Sequence, residues 1–219
     1  MAKLVLFGAG DIARLAHYYF THDSQHEVVA FCVDQEYRTA SEFLGLPVVS
    51  FEEVGQHYPP DAYQMFIALS YARMNQVRAA KYAAAKALGY TLVSYVSSHC
   101  TFLSQYPVGD NCFILEDNTI QPFVTIGNNI TLWSGNHIGH DSTIEDHCFI
   151  ASHVVVSGNC TVGAYAFLGV NATLSNSVRV AAHSLIGAGA VVMKDTVEKG
   201  VYLPRQTKRY STNSDEIDL

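Results

Sequence analysis

The feature that most restricts this chain is a six-residue period in its second half. Stepping by six from Val108 gives Ile114, Ile120, Ile126, Leu132, Ile138, Ile144, Ile150, Val156, Val162, Leu168, Leu174, Val180, Ile186 and Val192, so that all fifteen positions are Ile, Leu or Val with no break in phase. Two positions earlier the side chain is often small, as at Asn136, Ser142, Cys148, Cys160, Ala166, Ala172, Ser184 and Ala190. The residue after is Gly at six of the steps, Gly109, Gly127, Gly139, Gly163, Gly169 and Gly187. A period of six drifts around a 3.6-residue helix and makes no apolar stripe. A single strand would have to run for about 85 residues, far beyond ordinary strand lengths. A coil of short strands and bends satisfies the pattern, because each unit sends one aliphatic side chain inward and stacked units form a continuous ladder. Three units per coil make a triangular prism, so the fifteen units predict about five coils of eighteen residues.

The first hundred residues read differently. "KLVLFGAGDIARLAHYYF" is an apolar strand, the turn Gly8-Ala9-Gly10 and then a helical pattern. "EVVAFCVD" is a second strand ending in Asp34, and "YQMFIALS" a third. A helix follows from about Arg73 to Leu88 and ends at Gly89, and "YTLVSYV" reads as a fourth strand. Alternating strands and helices predict a small Rossmann-like α/β domain over 1–97, a β-helix over 98–200 and a tail over 201–219. Gly8-x-Gly10-x-x-Ala13, with the acidic Asp34 closing the next strand, fits a dinucleotide-binding fingerprint. Such glycines let the backbone approach phosphate at a helix N-terminus. The readings left open are a nucleotide site without hydride chemistry, an NAD site and a purely structural turn.

A chain of 219 residues has room for one large domain or two small ones, and 49% hydrophobic with 15% charged residues marks it as folded and globular. The formal net charge of −7 argues against nucleic acid as a partner. No Lys or Arg lies between Ala87 and Val178, whereas six of the thirteen fall from Arg179 onward. An anionic ligand must therefore meet the ends of the chain, or backbone N–H groups in its middle. The apolar start "LVLFG" is too short for a secretory signal. No run approaches the ~18 apolar residues of a membrane span. A cytoplasmic protein without membrane insertion is expected. Cys32, Cys100, Cys112, Cys148 and Cys160 show no CxxC spacing and read as reduced, buried thiols.

On the hexad ladder, the stretch from about 100 to 195 resembles the left-handed parallel β-helix of the hexapeptide-repeat acyltransferases. The handedness comes from that resemblance. With the α/β half added, nearly the whole chain resembles the sugar acyltransferases that modify nucleotide-linked amino sugars, together with the sialic acid O-acetyltransferases. The resemblance implies that Gly8, Ala9 and Gly10 cradle a diphosphate and that Asp34 sits near the base. Ser70, Asn75 and Arg78 in "LSYARMNQVR" are then candidates for the same nucleotide-sugar pocket, although Arg78 also reads as an exposed helix charge.

"HIGHDSTI" carries the chemistry. Zinc needs at least three converging ligands, and the histidine spacings do not supply them, although His147 and His183, two coils apart, can share a face. No metal is expected. His99 and His153 read as surface or interface residues. Acyl transfer from a thioester needs a base for the proton of the attacking amine or hydroxyl, and histidine titrates in the right range. A neighbouring carboxylate fixes the tautomer and stabilises the imidazolium. His140-Asp141 supplies both, in phase with the repeat, and matches the family's catalytic pair. His137 reads as a contact to substrate or to His140.

The family likeness further implies acetyl-CoA, or another acyl-CoA, attacked directly in a ternary complex. Gly158 would supply an N–H to the oxyanion. The CoA arm would run between subunits of a homotrimer around Gly158, Leu168 and Gly187, and the late basic residues, Lys194 and Arg205 among them, would meet its phosphates. Three departures stand out. Trp133 replaces the Asn frequent seven residues before the base, in the sugar-contact region. Phe149 replaces the His frequent nine residues after it, which removes a polar contact near the acyl group and leaves room for a chain longer than acetyl. The ending "VYLPRQTKRY" keeps only Pro204 of the usual Gly-x-Pro-Ala. The expected function is an N-acyltransferase, N-acetyl in the first instance, on a nucleotide-linked amino sugar for glycan, O-antigen or lipopolysaccharide assembly. An O-acetyltransferase on a sialic-acid-like sugar and a non-catalytic trimeric nucleotide-binding scaffold are the alternatives.

Overall fold

The computed structural model describes residues 3–209 together with 211, 213 and 217. The remaining residues of the expected tail 201–219 lie outside the described residues. The α/β half is a five-stranded sheet with β1 (Lys3–Phe7) beside β2 (Glu27–Val33) and β5 (Tyr63–Ile67). Beyond β2 come β4 (Leu46–Ser50) and β3 (Glu42–Phe43), in the order β3-β4-β2-β1-β5. All pairs are parallel except the hairpin β3–β4, whose turn uses positive φ at Leu44 and Gly45. Helices α1 (Asp11–His22), the short α2 (Val54–His57) and α3 (Gln76–Ala87) complete the half. Leu4, Val5 and Leu6 are fully buried, as expected of a parallel strand covered on both faces.

Two elements differ from the sequence-based expectation. The helix expected from Arg73 begins at Gln76, because Arg73, Met74 and Asn75 hold φ of 50°, 52° and 67° in the left-handed region. The expected fourth strand touches the α/β sheet only through the bridge of Leu92 to Met65. Its last residues, Tyr95–Val96, pair instead with Phe113–Ile114. Tyr95 packs against Phe20 on one side and Phe113 on the other, with ring centroids 5.6 Å apart in both contacts, so this stretch serves both cores.

From Tyr95 the chain winds into a parallel β-helix of three sheets. Sheet I has seven strands and runs through Thr131–Leu132, Phe149–Ile150 and Phe167–Leu168. Sheet II has six and runs through Thr119–Ile120, His137–Ile138 and Val155–Val156. Sheet III has four and runs through Thr125–Ile126, Thr143–Ile144 and Thr161–Val162. The register repeats coil upon coil without slippage, as in Thr125↔Thr143 and Thr143↔Thr161. From Ile114 to Val192 the ladder residues form the prism core, and nearly all are fully buried. Val108 packs against that core without forming a strand.

A second period-six signal lies in the bends. Every sixth residue from Asn111 to His183 has positive φ, including Asp117, Asn129, Asp141, His147, His153, Asn159 and Asn171. Asn, Asp and His tolerate this conformation better than other side chains with a Cβ. Their recurrence is therefore dictated by the backbone.

Candidate active site

His140 stands in the bend between sheets II and III, after His137–Ile138 and before Thr143–Ile144. Its backbone N–H donates to Gln121 Oε1 at 2.9 Å, which anchors the bend to the coil before it. Its Nδ1 lies 2.7 Å from Asp141 Oδ2. The carboxylate can only accept, so the proton sits on Nδ1 and Nε2 keeps its lone pair. Both side chains are about half exposed, 57% for His140 and 49% for Asp141. The ring lies over the next coil at Gly158, where an added Cβ would fall 2.6 Å from Nε2. Glycine at 158 thus makes space for the imidazole. Its backbone N–H is already used, donating to Asn176 Oδ1 at 3.0 Å. This corrects the expectation of a free oxyanion donor there.

The glycine turn and α3 border a hollow of about 300 Å³ lined by Gly8, Ala9, Gly10, Asp34, Tyr37 and Lys81, among others. Gly8 has φ +125°, and a Cβ there would meet the Ala68 carbonyl at 2.8 Å, so the fold itself requires glycine. A side chain on Gly10 would meet nothing within 4 Å, so that glycine leaves the approach to the backbone open. Asp34 is ion-paired with Lys81, whose ammonium lies over the rings of Phe7 and Phe51. Asp11 opens α1 and faces solvent, with Arg14 3.2 Å from its carboxylate.

An adjoining hollow of about 460 Å³ joins Gly8, Ala9 and Gly10 to Ser70, Tyr71 and Trp133. A third, of about 400 Å³, is reached past Ile12, Tyr71 and Trp133 and is lined by Phe149 and Phe167. Shared lining residues make the three a continuous cleft between the two halves. Trp133 and Phe149 do come together, with ring centroids 6.4 Å apart.

Asn75 and Arg78 were expected at the ligand and are interior instead, 0% and 1% exposed. Asn75 donates to the carbonyls of Tyr165 and Ala166 at 3.1 and 3.3 Å. Arg78 donates to the carbonyls of Ser70, Asn129, His147 and Cys148 and to the amide oxygens of Asn75 and Asn129, at 2.9 to 3.2 Å. The guanidinium is solvated by carbonyl dipoles, and burial draws its pKa down to about 10. These two side chains fasten α3 to the prism and leave no donor for a nucleotide. The apolar partners of α3 in the sequence carried no sign of this.

Two residues assigned to acyl-CoA are buried in this protomer. Leu168 is fully buried in the ladder. Gly187 is covered by Leu203, whose Cδ2 would lie 2.7 Å from an added Cβ. Lys194 lines a separate hollow of about 410 Å³ with Tyr202, Leu203 and Pro204 at the last coil. Arg205 follows it and is exposed. His137 lies on the outer face of sheet II between Thr119 and Val155. His147 packs at a tilt against Tyr165, centroids 4.7 Å apart, and Tyr165 stacks on His183 at 4.6 Å. Among the described residues no three His, Cys, Asp or Glu side chains converge on one point. Among those residues no helix is long and apolar enough to cross a membrane.

Residues 123–158 match the bacterial transferase hexapeptide family model, described as six repeats. The chain thus carries hexapeptide repeats within its β-helix, beside an α/β half. Its architecture is similar to that of the acetyltransferase domain of PglB from Neisseria gonorrhoeae, at TM-score 0.82 and 19% identity over 93% of this chain and 97% of that one. A mutant perosamine N-acetyltransferase from Caulobacter crescentus, solved with CoA and GDP-perosamine, superposes at TM-score 0.82 with 21% identity over 93% and 94%. WeeI from Acinetobacter baumannii is similar at TM-score 0.65 with 18% identity over 87% and 96%. No curated protein sequence matches the chain.

Proposed function

We propose that this chain is an acyl-CoA-dependent N-acyltransferase acting on a nucleotide-linked amino sugar, with His140 as general base. The observation that carries the reading is the His140–Asp141 pair, 2.7 Å apart, with Nε2 free above Gly158. The amine nitrogen attacks the thioester carbonyl while Nε2 takes its proton. The tetrahedral intermediate then collapses, the C–S bond breaks, and the CoA thiolate leaves and is protonated. Asp141 holds the tautomer and stabilises the imidazolium. The glycine loop and the Asp34–Lys81 pair suit a nucleotide diphosphate, and the complex of the Caulobacter enzyme with CoA and GDP-perosamine supports that substrate class.

The cleft and the base lie on different edges of the prism. The cleft reaches Trp133 at the edge between sheets I and II. His140 stands one edge further on, across the strand His137–Ile138. A complete site therefore takes its cleft from one protomer and its base from another, in a cyclic homotrimer.

Subunit complementation tests both statements. Gly10→Val points into open space, so it blocks the cleft without disturbing the fold. It is expected to be inactive in thiol release from acetyl-CoA, as is His140→Ala. Unfolded and co-refolded in equal amounts, the two form mixed trimers in which about a quarter of the sites combine an intact cleft with an intact base. Activity near that fraction supports a shared site. No recovery in verified mixed trimers places base and cleft in one subunit.

A further inference from the structure

We infer that the aromatic hollow at the edge between sheets I and II receives the acyl chain of the thioester, and that the chain it fits is longer than acetyl. This rests on the acyltransferase reading above. The hollow is built by a size gradient. The first bend residues of that edge that line it, on successive coils, are Trp133, Ala151 and Gly169, so a bulky wall is followed by small residues, while the next of the series, Gly187, is covered by Leu203. On the sheet I side, Phe149 and Phe167 stack at 5.7 Å with 14° between their planes. Tyr71 closes over both, its centroid 4.9 Å from each.

Tyr71 is held firmly. Its carbonyl accepts the Asn75 N–H at 3.1 Å, closing a turn whose Arg73, Met74 and Asn75 are all left-handed. Such backbone is strained in non-glycine residues and persists only where its surroundings enforce it. Asn75 and Arg78 supply that enforcement through their bonds to the prism carbonyls. On the far side of Phe149 lies the Arg78 guanidinium, 5.8 Å from the ring centroid.

Chemistry and size select the occupant. Ser152, the Tyr71 hydroxyl and the Trp133 indole N–H are the polar side-chain groups on this lining, and the rest of it is apolar. A sugar ring carries hydroxyls all round, and buried here most would lose their hydrogen bonds. A hydrocarbon chain loses nothing. The hollow measures about 400 Å³. The methyl of an acetyl group is close to one water molecule in size, roughly 30 Å³, and would leave most of the space empty. The hollow is also continuous with the nucleotide cleft through Ile12, Tyr71 and Trp133, which places it just beyond the sugar.

The test compares acetyl-CoA with butyryl-CoA in thiol release, using UDP-, dTDP- and GDP-linked amino sugars as acceptors. Each buried methylene is expected to raise kcat/KM about 3- to 5-fold, so butyryl-CoA, with two more, should exceed acetyl-CoA by about 9- to 25-fold. Ala188 lines the hollow and is exposed, so Ala188→Leu fills the space without entering the prism core. That variant should bring the butyryl-to-acetyl ratio to about one by lowering butyryl transfer more than acetyl transfer. Wild-type preference for acetyl-CoA, or a ratio unmoved by Ala188→Leu, overturns this inference alone. Thiol release from neither thioester overturns the acyltransferase reading and this inference with it.

Discussion

The edge between sheets II and III and the edge between sheets III and I have the same backbone and opposite fates. Each bend places its third residue at positive φ, Asp141 and Asn159 on the first edge, Asn129 and His147 on the second. The first edge is open, and His140 and Asp141 are about half exposed on it. The second is covered by α3, and there Asn129 accepts from Arg78 at 3.2 Å while its amide meets His147 Nδ1 at 2.9 Å. A repeat makes its bends alike, so what covers an edge decides whether a polar side chain becomes reactive or structural. The histidines illustrate this. His147, His153 and His183 occupy left-handed positions that favour their residue type. His140 occupies the second position of its bend, stacked between Pro122 on the coil before and Gly158 on the coil after, where the backbone asks for no histidine.

The sharpest way to break this contrast is to remove one histidine from each group. His140→Ala should lower turnover by about 10²–10⁴ at pH 7, the usual contribution of a positioned base. Acyl-CoA affinity should hardly change. His183→Asn, on the covered edge, keeps a residue suited to the left-handed bend and should leave turnover within about twofold. Steady-state rates at saturating acyl-CoA decide it, and equal losses in the two variants would erase the distinction between the edges. Asp141→Asn should fall between them.

The covered edge predicts a stability effect instead. Arg78→Met removes a donor from four carbonyls and two amide oxygens, of which only Asn129 Oδ1 keeps the Asn111 amide and the Cys148 carbonyl the Thr131 N–H. Leaving a buried acceptor without a partner costs about 1–3 kcal/mol, and several are left here, so a loss of about 3–5 kcal/mol is expected. Urea unfolding should show this loss, together with earlier melting of the α/β half while the prism persists. An unchanged midpoint would mean that α3 is held by apolar packing alone.

A smaller effect is expected where the first coil meets the end of α1. Asp23 accepts from the Tyr95 hydroxyl at 2.6 Å and from the Ser98 N–H at 2.9 Å. The Tyr95 hydrogen bond is the chief cause that draws its pKa down to about 2. A carboxylate with a depressed folded-state pKa adds stability above its unfolded value, near 3.9, and loses it as pH falls toward 2. The group is largely solvated, so the contribution is discounted to about 1 kcal/mol. Asp23→Asn should therefore lower the Tm by a few degrees at pH 7. The gap to wild type should close between about pH 4 and pH 2. Thermal melts across that range check it, and a gap that stays constant with pH would assign the loss to something other than this charge.

The prism and the His140-Asp141 pair were legible in the order of residues alone. A six-residue period is a local regularity, and each ladder residue announces its own burial wherever the rest of the chain lies. His140-Asp141 was legible for a related reason, since adjacent residues in a bend of known phase must meet. The glycine turn and the first three strands were legible through local propensity in the same way. Tertiary structure decided what the two halves do to each other. Arg78 and Asn75 look like helix-surface residues until α3 docks and the carbonyls of the bends surround them. Trp133, Tyr71, Phe149 and Phe167 are distant in sequence, and only docking brings them around one hollow. Gly158 kept the spacing of an oxyanion donor, yet Asn176 on the next coil takes its N–H. These outcomes depend on long-range contacts that no local pattern encodes, and so does the placement of the cleft one prism edge away from the base.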